Sequence, residues 1–300
     1  MRNVYLFPIF STTVWGVSIV GAKILSEIGL KAIEIVYFRF LIASLFFVPV
    51  LLFSKGKVLP KRREWLYIIG LAITGVSVNN LVFYLGLERT DASIAAMIVS
   101  INPLMTMIFA VLILREHMSR LKWLSVLLGI AGVSLLVGWN VSFGRLIGNL
   151  LILLAASIWG LSFSFSKMLS NQGFSPVIVT AWSVVIGTLF LSPFNLHSFS
   201  KFLTLNPVFW GWILFIAIVA SVISYILHYK AIEVLGAGTV APSTNIIPFS
   251  GAVTAALLLG ERITLLAVIG FILVLLGVIL VQVEARNSSA GASPVVLLVD

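Results

Sequence analysis

Long apolar runs separated by short polar breaks set the pattern of this chain, and nearly all of the charge falls in the breaks. A bilayer core takes about 20 mostly apolar residues per helix. On that rule the pattern predicts ten spanning helices, at residues 4–25, 33–53, 65–87, 93–114, 121–138, 146–169, 176–194, 209–230, 238–260 and 265–283. The breaks are short, as at 88–92 and 115–120, so neighbouring spans should run antiparallel with no domain outside the membrane. The first run is too long for the core of a signal peptide and lacks a small-residue cleavage site.

The pattern occurs twice. Residues 84–137 match 229–282 without a gap, with 15 identities in 54 positions. Leucine matches carry little weight in so apolar a chain. The informative pairs are Tyr84/Tyr229, Glu88/Glu233, Pro103/Pro248, Glu116/Glu261 and Gly132/Gly277. A second match, shifted by 144, pairs Trp15-Gly16 with Trp159-Gly160, Ser18 with Ser162, Lys23 with Lys167, Gly29 with Gly173 and Pro49 with Pro193. The chain is therefore a tandem duplication, with repeats at 1–140 and 145–286. The stretch 287–300 reads as a disordered tail or an expression remnant. Each repeat holds five spans, an odd number, so the second must sit upside down relative to the first. The predicted fold is an all-α membrane protein of ten transmembrane helices arranged as two inverted five-helix repeats, an arrangement that recurs in carriers.

Composition agrees and narrows the class. The 300 residues are 60% apolar and 10% charged, against about 45–50% and 25% in soluble domains. The net charge of +9 is not a nucleic-acid signal, because its densest cluster (Lys55, Lys57, Lys61, Arg62, Arg63) lies in one loop between spans. With the N-terminus inside, 12 Lys and Arg fall on the inner side and 6 on the outer. That count places both termini in the cytoplasm and the chain in the cell (inner) membrane as a multi-pass protein. There is no cysteine, which excludes disulfide and thiolate chemistry.

The repeated block resembles the EamA-like branch of the drug/metabolite transporter superfamily. The resemblance is carried by Tyr84-x3-Glu88-x7-Ala96, Asn102-Pro103, Arg115-Glu116 and Gly132. In the second copy it is carried by Tyr229-x3-Glu233-x7-Ala241, Pro248, Gly260-Glu261 and Gly277. The Trp-Gly pairs and Arg39-Phe40 add to it. It covers residues 4–283, and it departs in one place, where Arg115 stands opposite Gly260. The resemblance implies a ten-helix carrier, often an exporter of amino acids or other small metabolites, with a central cavity lined by spans 1, 3, 4, 6, 8 and 9.

Several residues are candidates to line that cavity, each with a structural alternative. Asn79 and Asn80 are adjacent amides in span 3; one can bind a neighbouring helix while the other faces the cavity. Ser221, Ser224, Tyr225 and His228 form one helical stripe in span 8. His228 could carry a proton or hydrogen-bond at the inner interface. Arg39 is the one charge deep within a span, and an intramembrane charge is a functional-site hypothesis by default. It could pair with Glu34, snorkel outward or meet a substrate carboxylate. Trp15 and Trp159 lie at mid-span, away from the interfacial belts, as cavity lining or as packing between repeats. Tyr84, Asn102 and Asn245 complete the set. Pro103 and Pro248 sit in spans 4 and 9, where a proline frees a carbonyl, and read as gating hinges or static bends. Glu116 and Glu261 precede Ser119 and Thr264 by three residues and read as helix-terminal groups rather than catalysts. Lys23 and Lys167 sit at helix ends.

No HExxH, GxSxG, P-loop or dinucleotide glycine motif occurs. A catalytic role, a cofactor and a bound metal are therefore not expected. The expected partners are a small-molecule substrate and the lipid bilayer, not nucleic acid, with the protein a monomer or homodimer. The reading is a carrier of small amphipathic metabolites, amino acids or related compounds, in the export direction and by alternating access. A multidrug or nucleotide-derivative carrier is the alternative of the same class. A membrane channel would need a continuous polar path, and a membrane-embedded enzyme a polar catalytic cluster at one interface.

Overall fold

The computed structural model describes residues 2–114, 119–137, 142–195, 207–235 and 240–291. Arg115, Glu116, Gly138, Lys201, Gly238 and the tail beyond Gly291 lie outside the described residues. The described residues form ten helical spans: α1 (Leu6–Glu27), α2 (Ala32–Phe53), α3 (Glu64–Leu87), α4 (Ala92–Ile113), α5 (Arg120–Val137), α6 (Phe143–Ser170), α7 (Pro176–Phe194), α8 (Pro207–Leu235), α9 (Ser243–Leu259) and α10 (Leu265–Gly291). All ten expected spans are present. The ends differ where helix-forming residues carry a helix past its apolar run. Thus α10 continues through Glu284, Ala285 and Arg286 to Gly291.

The molecule is apolar outside and partly polar inside. Leu52, Leu66, Leu127, Leu257 and Leu265 are among the most exposed side chains, while Ser11, Thr12, Ser77, Asn79, Ser125, Asn149, Ser221 and Ser224 are buried. In water this would be inverted. In lipid it is expected, because leucine costs nothing against acyl chains and every polar group must find a partner within the protein.

Packing follows a pseudo-two-fold relation between the halves. A Cβ added at Gly132 would lie 2.5 Å from the Gly270 carbonyl oxygen, and one added at Gly277 2.7 Å from that of Ser125. Positions 132 and 277 are repeat equivalents, as are 125 and 270. The α5–α10 contact is thus made twice by the same pair of positions, as an isologous interface requires, and small residues let the two backbones meet.

The loops sort onto two sides as ten crossings demand. On one side the Ala32 N–H donates to Glu88 Oε1 at 2.6 Å, Arg145 pairs with Asp91 at 3.1 Å, and Glu261 accepts from Ala92 N–H at 2.7 Å and Ser93 N–H at 2.8 Å. On the other, Lys57 Nζ donates to the Gln172 carbonyl at 3.0 Å and Trp182 Nε1 to that of Val58 at 2.8 Å. Loops 1–2, 3–4 and 9–10 and the start of α6 meet on one face, and loops 2–3 and 6–7 on the opposite one.

Candidate functional site

Four spans are not continuous α-helices, and the interruptions fall at matched positions. α3 passes through a π-helical segment at Ala72–Ser77 and α8 through one at Phe215–Ile223. A shift of 145 places the first within the second. A π turn leaves carbonyls poorly paired inside the protein, and side chains take them up. Ser77 Oγ lies 3.2 Å from the Ala72 carbonyl oxygen and 3.1 Å from that of Gly187. Asn80 Nδ2 donates to Val76 at 2.9 Å and Gly75 at 3.3 Å. In α8, Ser221 Oγ donates to Ile216 and Ser224 Oγ to Val219, both at 2.8 Å. Each half thus spends its hydroxyls or amides on stabilising a non-α turn, a feature concentrated at functional sites.

α4 and α9 break just before their prolines. In α4 the helix stops at Val99, turns through Ser100 and Ile101 with bonds to carbonyls three residues back, and restarts at Asn102. In α9 a 3₁₀ segment, Ala241–Asn245, precedes the α-helix from Ile246. Pro103 and Pro248 therefore sit in the first turn of a new helical segment, where a missing N–H costs nothing. The expected bend is realised as a break and restart. Past each proline the helix meets the glycine of a Trp-Gly pair from the other half. A Cβ on Gly16 would lie 2.4 Å from the Ile247 carbonyl oxygen and 2.7 Å from Gly251 N; one on Gly160 would lie 2.7 Å from the Met105 carbonyl carbon. The Trp-Gly glycines are thus the crossing points of α1 on α9 and of α6 on α4.

The interrupted helices are also bound to the first span of the opposite half. Ser11 Oγ lies 2.9 Å from the Ser224 carbonyl oxygen and 2.9 Å from its own Phe7 carbonyl, so one proton serves both. Asn79 Nδ2 donates to the Ala155 carbonyl at 2.7 Å. Ser11 is equivalent to Ala155 and Asn79 to Ser224. The same contact is made in both halves with the donor on opposite partners.

Between α1, α2, α3 and α8 lies the polar centre. Arg39 is 9% exposed. Its Nε donates to Ser221 Oγ at 2.7 Å and its Nη1 to Tyr84 Oη at 2.7 Å, with the guanidinium carbon 5.0 Å from the Phe40 ring centre. Trp15 donates through Nε1 to the Ala220 carbonyl at 2.9 Å, a carbonyl of the π segment. Its ring lies 5.1 Å from that of Tyr225 and 4.9 Å from that of His228. Tyr225 stands 6.0 Å from Tyr229, whose hydroxyl shares a 3.1 Å hydrogen bond with Thr180. His228 Nδ1 and Asn102 Oδ1 are buried with no hydrogen-bond partner among the described residues.

Several expectations are corrected by this arrangement. Arg39 does not pair with Glu34, whose carboxylate caps its own helix at the Lys31 N–H. His228 is buried against Trp15. Asn79 binds α6, as one of the two amides was expected to bind a neighbour, but Asn80 turns back on its own helix. In the span 8 stripe Ser221 receives Arg39 and Tyr225 and His228 stack on Trp15, while the Ser224 hydroxyl folds onto α8. Trp159 is half-buried against Phe163, with rings 5.5 Å apart, and apart from the Arg39 centre. Asn245 closes the 3₁₀ segment. Glu261 is helix-terminal as expected, but it caps α4 of the other half, while Thr264 Oγ1 accepts from Ala267 N–H. Lys23 Nζ donates to the Leu87 and Thr90 carbonyls, both at 2.9 Å. Thr180 and Ala220 were not foreseen; the repeat partner of Tyr84 was the available pointer to Thr180.

Comparison with known proteins follows this architecture. The EamA-like transporter family matches residues 2–138 and again 146–283. A protein of Archaeoglobus fulgidus named an uncharacterized transporter is 28% identical over 276 residues, covering 89% of this chain and 94% of its own length. The Bacillus subtilis uncharacterized transporter YyaM is 29% identical over 250 residues, covering 80% and 81%. The Salmonella typhimurium uncharacterized inner membrane transporter YicL is 24% identical over 304 residues, covering 97% and 99%. One crystal structure superposes with a TM-score of 0.59 at 15% identity, covering 96% of this chain and 99% of that one, a likeness of fold alone.

Proposed function

This chain belongs to the EamA-like transporter family, and on that premise we propose that it exports small amphipathic metabolites, amino acids or close relatives, by alternating access of its two inverted halves. The observation that carries the reading is the matched interruption of four helices, by π segments in α3 and α8 and by breaks before Pro103 and Pro248 in α4 and α9. Interrupted helices that line a site between inverted repeats are the usual device by which carriers bind and gate. Here they surround aromatic, amide and hydroxyl groups, which suit a ligand with one apolar and one polar end. The prolines act as gates because each restarts a helix immediately before it crosses the other half. Trp15, Tyr84, Ser221, Tyr225 and His228 contact substrate from the Arg39 side, and Asn102, Trp159 and Asn245 from the other. The inner membrane with both termini cytoplasmic is the orientation that the distribution of Lys and Arg supports.

The test is flux. Purified protein in proteoliposomes should take up radiolabelled amino acids saturably, and a preloaded unlabelled pool should accelerate that uptake. Linear flux without saturation would mean a channel and would sink the carrier reading.

A further inference from the structure

Arg39 is buried in α2, nine-tenths removed from solvent, and makes no ion pair among the described residues. Its two hydrogen bonds go to neutral hydroxyls, Ser221 Oγ and Tyr84 Oη. A guanidinium has five N–H donors in a fixed fork and does not lose its proton in proteins. The Nη2 side of that fork donates to nothing among the described residues. The acids on α2 and at the end of α3 are committed elsewhere: Glu34 to the Lys31 N–H and Glu88 to the Ala32 N–H. The 5.0 Å contact with Phe40 is a weak offset to burying an unpaired cation within a bilayer.

We infer that this unpaired fork is the anion subsite of the transport site, and that the substrates are small carboxylates whose charged end docks on Arg39. The inference rests on the carrier reading above and narrows its substrate class. Two features favour a carboxylate over other anions. With Nε and Nη1 engaged, Nη2 is left to give a charge-assisted hydrogen bond to a carboxylate oxygen. Ser221 and Tyr84 hold the other two nitrogens, which leaves a single cationic donor rather than the multi-cation cradle that suits a phosphate. The other end of the ligand has an aromatic wall, since Trp15 links α8 to α1 through Ala220 and stacks with Tyr225 and His228. The His228 Nδ1, buried without a partner among the described residues, is a second point awaiting a hydrogen bond, suited to an amino or hydroxyl group near the carboxylate. The subsite belongs to one half only: the repeat partner of Arg39 is Ser183, whose hydroxyl bonds to its own Thr180 carbonyl.

The experiment compares carboxylates with their own amides. Binding to full-length protein in nanodiscs is followed by intrinsic tryptophan fluorescence, with the pairs leucine/leucinamide, phenylalanine/phenylalaninamide and 3-phenylpropionate/3-phenylpropionamide. At least one acid should bind wild type about tenfold to a hundredfold tighter than its amide, the range of a hydrogen bond to a charged group. Arg39→Gln should abolish that preference by weakening the acid while leaving the amide within about threefold. Arg39→Lys should restore part of it and Tyr84→Phe should reduce it. Wild type without such a preference overturns the subsite, and so needs no variant to fold. A preference that persists in Arg39→Gln overturns it too. So does an equal loss for acid and amide accompanied by a lower melting temperature, which would make Arg39 a structural tie. Flux separates the two readings: a carboxylate preference in binding without saturable flux removes the carrier and keeps the subsite, whereas saturable flux of amides and acids alike does the reverse.

Discussion

The crossing of α1 on α9 offers a perturbation whose size can be worked from distances. Gly16→Ala adds a Cβ 2.0 Å from Ser250 Oγ, 2.4 Å from the Ile247 carbonyl oxygen and 2.7 Å from Gly251 N. The serine hydroxyl can rotate away, but the two backbone atoms cannot. To bring the carbonyl to 3.0 Å, the closest approach that real Cβ atoms show, α9 must retreat by about 0.6 Å; overpacking of this kind costs about 1–3 kcal/mol. The gain from replacing a helical glycine by alanine is about 1 kcal/mol, so at this displacement the steric term outweighs it and a net loss of up to about 2 kcal/mol is expected. Gly160→Ala, the equivalent at α6 on α4, meets nothing closer than 2.7 Å. The retreat there is about 0.3 Å, the two terms nearly cancel, and the net change should lie within about 1 kcal/mol. Gly211→Ala, in α8 with open space around it, is the control and should be neutral or stabilising. Thermal unfolding of the three variants in nanodiscs, with flux measured beside it, gives the ranking. A Gly16→Ala protein that melts no lower than wild type, or a Gly160→Ala protein that melts lower than Gly16→Ala, would refute the proposed crossing geometry.

Other changes should separate in the same assays. Glu261→Gln weakens the charged cap on Ala92 and Ser93 and should lower stability by about 0.5–2 kcal/mol, seen as a lower unfolding midpoint; an unchanged midpoint would mean that the tie between halves is not made. Pro103→Ala and Pro248→Ala restore a backbone donor and should slow flux while leaving ligand affinity within about twofold, with cavity accessibility shifting to opposite sides; normal flux in the double variant would leave the prolines as static breaks. Reporters fused after Lys57 and after Lys201 should signal from the cytoplasm and from outside respectively, and two signals on one side would overturn the proposed topology.

Much of the architecture was legible in the sequence, because lipid demands long apolar runs and a duplication leaves paired prolines, tryptophans and glycines. What was hidden lay in how the spans meet. The π segments insert a turn without a compositional mark, since Ala72–Ser77 and Phe215–Ile223 look like the rest of an apolar helix; only the hydroxyls of Ser77, Ser221 and Ser224, placed to reach carbonyls five residues back, are a trace of them. Pro103 and Pro248 fixed the position of an irregularity but not its form, because a proline is accepted equally well in the first turn of a restarted helix. Arg39 stood out as a buried charge, yet its partners are 45 and 182 residues away, beyond any local pattern. Glu261 was recognisable as a cap, but the helix it caps lies in the other repeat.

The central claim is that two inverted halves alternate around a site that binds a small amphipathic ligand. Counterflow tests it most directly: proteoliposomes preloaded with unlabelled amino acid and diluted into a trace of the labelled compound. The account predicts a transient accumulation of label above its external concentration, abolished by Pro103→Ala with Pro248→Ala. A simple approach to equilibrium with no overshoot, at the same rate with or without the internal pool, would contradict it.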